Sequence, residues 1–281
     1  MAEKGNPVKL RCLYRRRETP TLHVAFDEGP RNGPVVVFVH GIASSSVTFH
    51  DLLPLLDKRI RIIAVDLLGF GHSPSPKGAT YTLDEHVDAL ERTIAQMQLP
   101  LHWILVGHSL GALIGARFAS RHPADLDSLV MVSPPVYVAS SSLPDGAERR
   151  AMAAYARAFD YLRANKRFTI RNAAFIARLL PIRRALELTE HNWPSFELSL
   201  KNAIETQSTS ADVAKARIPI DIVYGSLDIL IIPPALDALG ELPRVSLHRV
   251  MGGDHLVRGP LAREVEMIIA HRVGLAKPPR Q

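Results

Sequence analysis

Cysteine is almost absent from this chain, since Cys12 is the only one among 281 residues. A lone cysteine cannot form an intrachain disulfide, so an oxidising compartment would offer the fold no covalent stabilisation. We therefore expect a cytoplasmic protein. Cys12 lies among arginines in a predicted N-terminal strand and has no motif beside it. We interpret it as a strand residue rather than a nucleophile.

Long apolar runs are missing as well. Uninterrupted apolar segments such as Val35–Val39 are far shorter than the about 20 residues that a transmembrane helix requires. The first residues, Met1–Pro7, carry charge but no apolar segment, so they do not resemble a signal peptide. The histidines are scattered, and the sequence has no H-E-x-x-H motif and no glycine-rich phosphate loop. We predict no cofactor and no metal.

Charge of one sign is concentrated in one part of the chain. The net charge is +6, and between Asp145 and Arg184 ten basic residues stand against three acidic ones. The ten are Arg149, Arg150, Arg157, Arg163, Lys166, Arg167, Arg171, Arg178, Arg183 and Arg184. One interpretation is a solvated helical face, and another is a surface that docks on an anionic membrane. We expect no nucleic-acid binding, because these cations lie within a single segment.

The hydrophobic content of 47% is typical of a folded protein, and the apolar residues follow an alternating pattern. Six apolar stretches have the character of buried strands: Val35–Val39, Ile60–Val65, Trp103–Val106, Ser128–Val132, Ile218–Tyr224 and Val245–Val250. Five stretches have helical spacing: Ser46–Leu56, Asp84–Met97, Ala112–Ala119, Pro234–Leu239 and Leu261–Val273. This strand–helix alternation predicts an α/β fold with a mostly parallel sheet. A β-hairpin is predicted before it, over Lys9–Tyr14 and Leu22–Phe26.

The alternation stops between residues 134 and 216, where the sequence is helical and rich in alanine, arginine and leucine. We predict a helical cap over 134–216, inserted into an α/β core made of residues 1–133 and 217–281. Within this cap Trp193 and Phe196 are candidate substrate-binding residues. The alternative is that both aromatic side chains only pack the cap.

The segment Gly107-His108-Ser109-Leu110-Gly111 follows the predicted strand Trp103–Val106 directly. It matches the G-x-S-x-G pattern of a nucleophile elbow, a sharp strand-to-helix turn that presents a serine hydroxyl. Small residues are needed on either side of the serine, because the strand and the following helix pass close together there. Ser109 is therefore the candidate nucleophile.

A serine nucleophile needs a base and a group that orients the base. Asp228 comes just after the strand Ile218–Tyr224, and His255 just after Val245–Val250. The C-terminal ends of parallel strands converge on one edge of a sheet, so Ser109, Asp228 and His255 can meet. Asp254 is a poor rival for the orienting role, because it is adjacent to His255 in the chain.

The tetrahedral intermediate of such a reaction needs hydrogen-bond donors aimed at its oxyanion. The amide of Leu110 is one candidate. The loop that begins His40-Gly41-Ile42 after Val35–Val39 should supply the other, and we predict the Ile42 amide. His40 is expected to anchor this loop rather than to act as a second catalytic histidine.

Together with the segment Asp66-Leu67-Leu68-Gly69-Phe70-Gly71-His72-Ser73, these motifs resemble those of the α/β-hydrolase fold superfamily, in its capped group. The resemblance implies a mostly parallel, eight-stranded-type sheet flanked by helices, with an inserted helical cap. We interpret Asp66 and Ser73 as structural residues that fix this turn, and we assign structural roles to His72 and His108 as well. In some relatives the acid follows an earlier strand, but here that position is Ser133, which favours Asp228.

The identity of the candidate nucleophile narrows the range of possible reactions. Haloalkane dehalogenases and epoxide hydrolases of this fold use an aspartate where this chain has Ser109. We therefore predict a carboxylesterase-like or lipase-like serine hydrolase, which cleaves carboxylic esters of small to medium apolar acyl groups through an acyl-enzyme. A C–C bond hydrolase and a cofactor-free perhydrolase are alternatives on the same triad. An alternative of another class is a receptor-like protein that binds a small ligand and retains only vestigial catalysis.

Overall fold

The computed structural model describes residues 19–136, 157, 161, 164–171 and 188–275. Seven strands lie in these ranges: β1 Val24–Glu28, β2 Val35–Val39, β3 Arg61–Val65, β4 Trp103–His108, β5 Leu126–Val132, β6 Ile220–Gly225 and β7 Val245–Val250. Each of the seven was predicted to within two residues at either end. The other predicted strand, Lys9–Tyr14 with Cys12, lies outside the described residues, as does most of the basic segment.

The strands form one sheet in the order β1-β3-β2-β4-β5-β6-β7. Strands β2 to β7 are parallel to one another, and β1 pairs antiparallel with β3. Every residue of β2 and β4 is buried, as expected for central strands covered on both faces. The predicted α/β fold with a mostly parallel sheet is therefore confirmed.

In the described ranges, the helices with defined bounds are α1 Leu83–Met97, α2 Leu110–Arg121, α3 Trp193–Ser199, α4 Thr209–Lys215, α5 Pro233–Gly240 and α6 Gly259–Arg272. Apolar residues of α1, α2 and α5 pack in the core on one face of the sheet. Helix α6 packs on the other face with Phe49 and Leu52. The two cores hold the strand ends in fixed positions.

The single helix predicted over Ser46–Leu56 is wrong. The structure has two short 3₁₀ helices there, Ser46–Phe49 and Leu53–Leu55. Pro54 has no N–H to donate to a carbonyl one turn earlier, so an α-helix cannot continue through it.

The order of the strands in the sheet differs from their order along the chain, and this difference defines where a ligand crevice can form. Strand β2 lies between β3 and β4, so successive parallel strands are added first on one side of β2 and then on the other. The connections after β2 and β4 therefore leave the sheet in opposite directions, and ligands of open α/β sheets bind at such a point. The predicted oxyanion loop follows β2, and the predicted nucleophile follows β4.

The described part of 134–216 is largely helical, comprising residues 166–171, α3, a π-helical turn at Leu200–Ile204 and α4. The Nε–H of Arg117 in α2 is shared between both carboxylate oxygens of the buried Asp212 in α4, each at 2.8 Å, and this contact joins the segment to the core. The division into core and cap stays a prediction. None of the helices in the described ranges has the length and apolar character needed to cross a bilayer.

Candidate active site

Ser109 lies in the sharp turn between β4 and α2, with φ of 52° and ψ of −117°. This backbone conformation is strained for a residue with a side chain and persists only where the surroundings enforce it. The Ser109 amide donates to the carbonyl of Val132 in the neighbouring strand at 2.9 Å. The turn is therefore held by the sheet itself, as expected of a nucleophile elbow.

The two glycines of the elbow lie where a larger residue would clash with neighbouring backbone. A Cβ atom on Gly107 would lie 2.3 Å from the carbonyl oxygen of Gly111, and a Cβ on Gly111 would lie 2.1 Å from the carbonyl oxygen of Val39. Both contacts are with backbone atoms, which cannot move aside without displacing a central strand or helix α2. The close packing of strand and helix that the motif predicts is thus present.

Gly111→Ala should lower the free energy of unfolding by about 3 kcal/mol, because the added methyl group overlaps the backbone of β2. Urea denaturation followed by circular dichroism measures the change. Gly115→Ala in the same helix is the matched control, since its added Cβ would meet side chains and no backbone, with Leu129 Cδ1 at 2.8 Å and Leu105 Cδ2 at 3.5 Å. Equal effects of the two substitutions would contradict the assignment of the elbow as a close backbone contact.

Asp228 and His255 follow the adjacent strands β6 and β7, and their side chains are in contact. The Nδ1 atom of His255 is 2.8 Å from Oδ2 of Asp228, and both residues are buried. The amide of Leu230 donates to the other carboxylate oxygen of Asp228 at 3.0 Å. Burial raises the pKa of Asp228, but the His255 ring and the Leu230 amide outweigh burial and hold that pKa below its ordinary value.

Asp254 is turned to other partners. Its carboxylate accepts hydrogen bonds from the Leu256 amide at 3.0 Å and from the guanidinium of Arg258. The carboxylate in contact with His255 is therefore that of Asp228.

His108 connects the elbow to the loop of His255. Its Nε2 lies 2.8 Å from the carbonyl oxygen of His255, and the two rings are 4.9 Å apart. Because a carbonyl only accepts, the proton of His108 is on Nε2. Burial lowers the pKa of His108 to about 3, so the ring is neutral at physiological pH. A structural role was expected for His108. Its contact with the His255 carbonyl holds the backbone of His255 beside the elbow.

The predicted oxyanion loop passes directly over the elbow. A Cβ atom on Gly41 would lie 3.0 Å from both Ser109 Cβ and His108 Nδ1, a tight contact that glycine avoids. Among the residues that the structure describes, neither the Ile42 amide nor the Leu110 amide donates a hydrogen bond to a protein acceptor. Their role in catalysis stays a prediction.

Backbone contacts anchor this loop through His40. Its Nδ1 donates to the Gly41 carbonyl at 2.7 Å, and its Nε2 accepts from the Leu67 amide at 2.7 Å. Burial lowers the pKa of His40 to about 4, so the ring stays neutral. With both ring nitrogens engaged, His40 anchors the loop as expected.

Asp66 anchors the same loop from β3. Its Oδ1 accepts from the Ser46 amide at 2.9 Å, and its Oδ2 accepts from the His72 amide at 3.0 Å. Burial raises the pKa of Asp66, but these two amides outweigh burial and lower it overall. The Ser73 hydroxyl donates to the Asp66 carbonyl at 2.5 Å. The structural roles predicted for Asp66 and Ser73 are confirmed.

Sequence reasoning missed one neighbour of Asp66. The Nδ1 atom of His23 lies 3.2 Å from Oδ2 of Asp66, although the two residues are 43 positions apart. No motif contains His23, and the signal that could have found it is the pairing of β1 with β3, which composition does not reveal.

Trp193 and Phe196 are packed in the interior. They are 4% and 3% exposed, and their ring centroids lie 5.4 Å apart. This agrees with the packing alternative for these residues. Contact with a substrate stays a prediction.

Known proteins resemble the chain in sequence and in fold. The probable lysophospholipase BODYGUARD 5 of Arabidopsis thaliana is 27% identical over 285 residues, which cover 89% of this chain and 63% of that protein. BODYGUARD 1 of the same plant, also a probable lysophospholipase, is 37% identical over 118 residues, or 40% of this chain and 24% of that protein. The chain therefore spans less than two thirds of the length of these relatives.

A solved structure of an E-2-(acetamidomethylene)succinate hydrolase matches with a TM-score of 0.67 at 24% identity, covering 90% of this chain and 95% of that one. Similarity at this level of identity speaks for the fold alone. A family model described as the alpha/beta hydrolase fold matches residues 34–257, a range that contains Ser109, Asp228 and His255. The chain therefore belongs to the alpha/beta hydrolase fold family.

Proposed function

We propose that this hydrolase is a serine esterase that cleaves carboxylic esters of small to medium apolar acyl groups. The observation that carries the proposal is the buried 2.8 Å contact between His255 and Asp228, beside a strained elbow that presents Ser109. A hydroxyl is a weak nucleophile at neutral pH unless a base next to it accepts its proton. In this proposal His255 is that base.

Acylation follows from these positions. The Ser109 oxygen attacks the ester carbonyl carbon while His255 Nε2 takes the hydroxyl proton. The carbonyl oxygen becomes an oxyanion that accepts hydrogen bonds from the Ile42 and Leu110 amides. When the C–O bond to the leaving group breaks, His255 returns its proton to the departing alcohol, and the acyl group stays on Ser109.

Deacylation repeats the sequence with water. His255 takes a proton from a water molecule, the resulting hydroxide attacks the acyl carbon, and the proton then passes to the Ser109 oxygen as the carboxylic acid leaves. Asp228 holds the ring in the tautomer that keeps Nε2 free, and its charge stabilises the imidazolium that forms twice per turnover.

The relatives indicate a class of ester. Two of them are named probable lysophospholipases, and a lysophospholipid carries a single acyl chain on a carboxylic ester. This extends the proposal toward single-chain lipid esters. The basic segment between Asp145 and Arg184 would favour the phosphate of such a substrate, or an anionic membrane surface.

Hydrolysis of p-nitrophenyl esters with acyl chains of increasing length tests the proposal. We expect kcat/KM to rise with chain length up to a medium acyl chain, because each buried CH₂ contributes about 0.8 kcal/mol. A serine-reactive fluorophosphonate should label the protein at Ser109, as mapped by peptide mass spectrometry. Ser246→Ala, at an exposed serine of β7, should label like the wild type.

Absence of labelling in the folded wild type would overturn the serine mechanism. Labelling without turnover of any ester in the series would overturn the ester substrate while leaving the nucleophile in place. Turnover of a diketone or formation of a peracid would then identify one of the other reactions.

A further inference from the structure

Three metal-binding side chains meet at a place that the proposed catalysis does not use. The Nδ1 atoms of His23 and His72 lie 3.2 and 3.6 Å from Oδ2 of Asp66. One ligand atom from each of the three residues falls within 4.8 Å of the other two, and the imidazole rings are 5.1 Å apart. We predicted no metal because the histidines are scattered along the chain, but the fold brings these two together.

The backbone holds the three residues in place. The His23 amide donates to the Ser73 hydroxyl at 2.8 Å, and the Asp66 amide donates to the His23 carbonyl at 3.0 Å. The His72 amide donates to the Asp66 carboxylate at 3.0 Å. The Asp66 carboxylate is buried, so its orientation is set by contacts within the protein rather than by water. The backbone of the three residues and the Asp66 carboxylate are therefore in place before an ion binds, and only the two exposed imidazole rings lose conformational freedom on binding.

The spacing suits a small divalent ion. Metal–ligand bonds of about 2.1 Å in a tetrahedral site place the ligand atoms about 3.4 Å apart, and the two distances to Asp66 bracket that value. The His23 and His72 side chains are 42% and 84% exposed, so the outer side of the group is open to water. Two imidazole nitrogens and one carboxylate oxygen are donors that suit Zn²⁺ and similar ions.

We propose that His23, Asp66 and His72 bind one divalent transition-metal ion, with solvent completing its coordination. Binding replaces the proton that His23 Nδ1 shares with the carboxylate, and it requires the ring of His72 to move by a rotation about its exposed side-chain bonds. The ion takes the Oδ2 side of Asp66, while Oδ1 keeps its hydrogen bond to the Ser46 amide. The anchor of the predicted oxyanion loop therefore survives metal binding.

The expected consequence is stabilisation. An ion that binds only the folded chain raises the unfolding temperature with increasing metal concentration. It ties the residue just before β1 to the loop after β3, two parts of the chain that are far apart in sequence. The contact with the Ser46 amide is kept, and none of the proposed catalytic residues is a ligand. The ion therefore stabilises the fold without occupying the proposed catalytic residues.

Titration of the full chain with ZnCl₂ after EDTA treatment and dialysis tests this proposal by calorimetry and by the shift in Tm. We expect the wild type to bind one Zn²⁺ ion. His23→Ala and His72→Ala should each weaken this binding by about tenfold or more, because each removes one imidazole ligand. His23→Gln is a second variant, since it keeps a hydrogen-bond donor near Asp66 but lacks an imidazole ligand. Circular dichroism checks that all three variants are folded.

Three controls separate this site from other Zn²⁺ ligands. His102→Ala is the matched control, because His102 also pairs with a carboxylate, Asp127, at 3.4 Å but lies outside the three-residue group. Cys12→Ser and His255→Ala remove the lone thiol and the proposed catalytic base. All three should bind Zn²⁺ at the His23 site as the wild type does. Wild-type protein that binds no Zn²⁺, or binding that survives His23→Ala and His72→Ala, would overturn the proposal.

Discussion

Replacing Ser109 by alanine is expected to lower kcat for p-nitrophenyl ester hydrolysis by about 10⁶-fold, to the level left by the remaining binding groups. The hydroxyl oxygen is the only atom lost, and it is the atom proposed to form the bond to the acyl carbon. Steady-state kinetics on purified protein measures the loss. KM should change far less, because substrate binding does not depend on that bond.

The backbone conformation at Ser109 allows a second comparison, which is based on the stability of two variants rather than on their activity. Its φ of 52° and ψ of −117° strain any residue with a Cβ atom, at a cost of roughly 1–3 kcal/mol. Ser109→Gly should therefore be more stable than Ser109→Ala, although both are inactive. A Ser109→Ala variant that keeps more than a few per cent of wild-type kcat would show that another group is the nucleophile.

Replacing Asp228 by asparagine should lower kcat by about 10⁴-fold while leaving the protein folded. The asparagine amide can donate to Nδ1 of His255, which favours the tautomer with its proton on Nε2, where the proposed base must be free. The amide also lacks the charge that stabilises an imidazolium. Because the pKa of Asp228 lies below its ordinary value, the carboxylate stays charged as the pH falls, so its own protonation does not limit activity in weakly acidic solution.

Asp254→Asn is the matched control for this prediction. Asp254 adjoins His255 in sequence, but its carboxylate contacts Leu256 and Arg258 instead. The control should retain kcat within about threefold of wild type. An Asp254→Asn variant as impaired as Asp228→Asn would contradict the assignment of Asp228 as the orienting acid.

Local sequence was sufficient for the strands and for the elbow, because each depends on near neighbours. Val35–Val39 is continuously apolar and forms a central strand, and the glycines two residues either side of Ser109 allow the strand and helix to approach. The predicted helix over Ser46–Leu56 failed for a local reason too. Pro54 interrupts its hydrogen bonding, and apolar spacing does not report that loss.

The candidate catalytic residues could be named from sequence because parallel strands end at one edge of a sheet. That rule brings Asp228 and His255 near each other but does not tell which carboxylate contacts the ring. In the structure Asp228, after β6, contacts the ring that follows β7, while Asp254 contacts the Leu256 amide. In the same way, only the contact of His108 with the His255 carbonyl shows how the elbow and the histidine loop are joined.

By itself, the sequence determined the order of strands and helices, the serine elbow, and the residues that follow each strand, since these rest on periodicity and short motifs. The tertiary structure alone decided other contacts between distant side chains. His23 reaches Asp66 and His72 because β1 pairs antiparallel with β3, with Val24 opposite Val65. Such pairing depends on packing across the whole sheet, and no short segment of the chain contains that information.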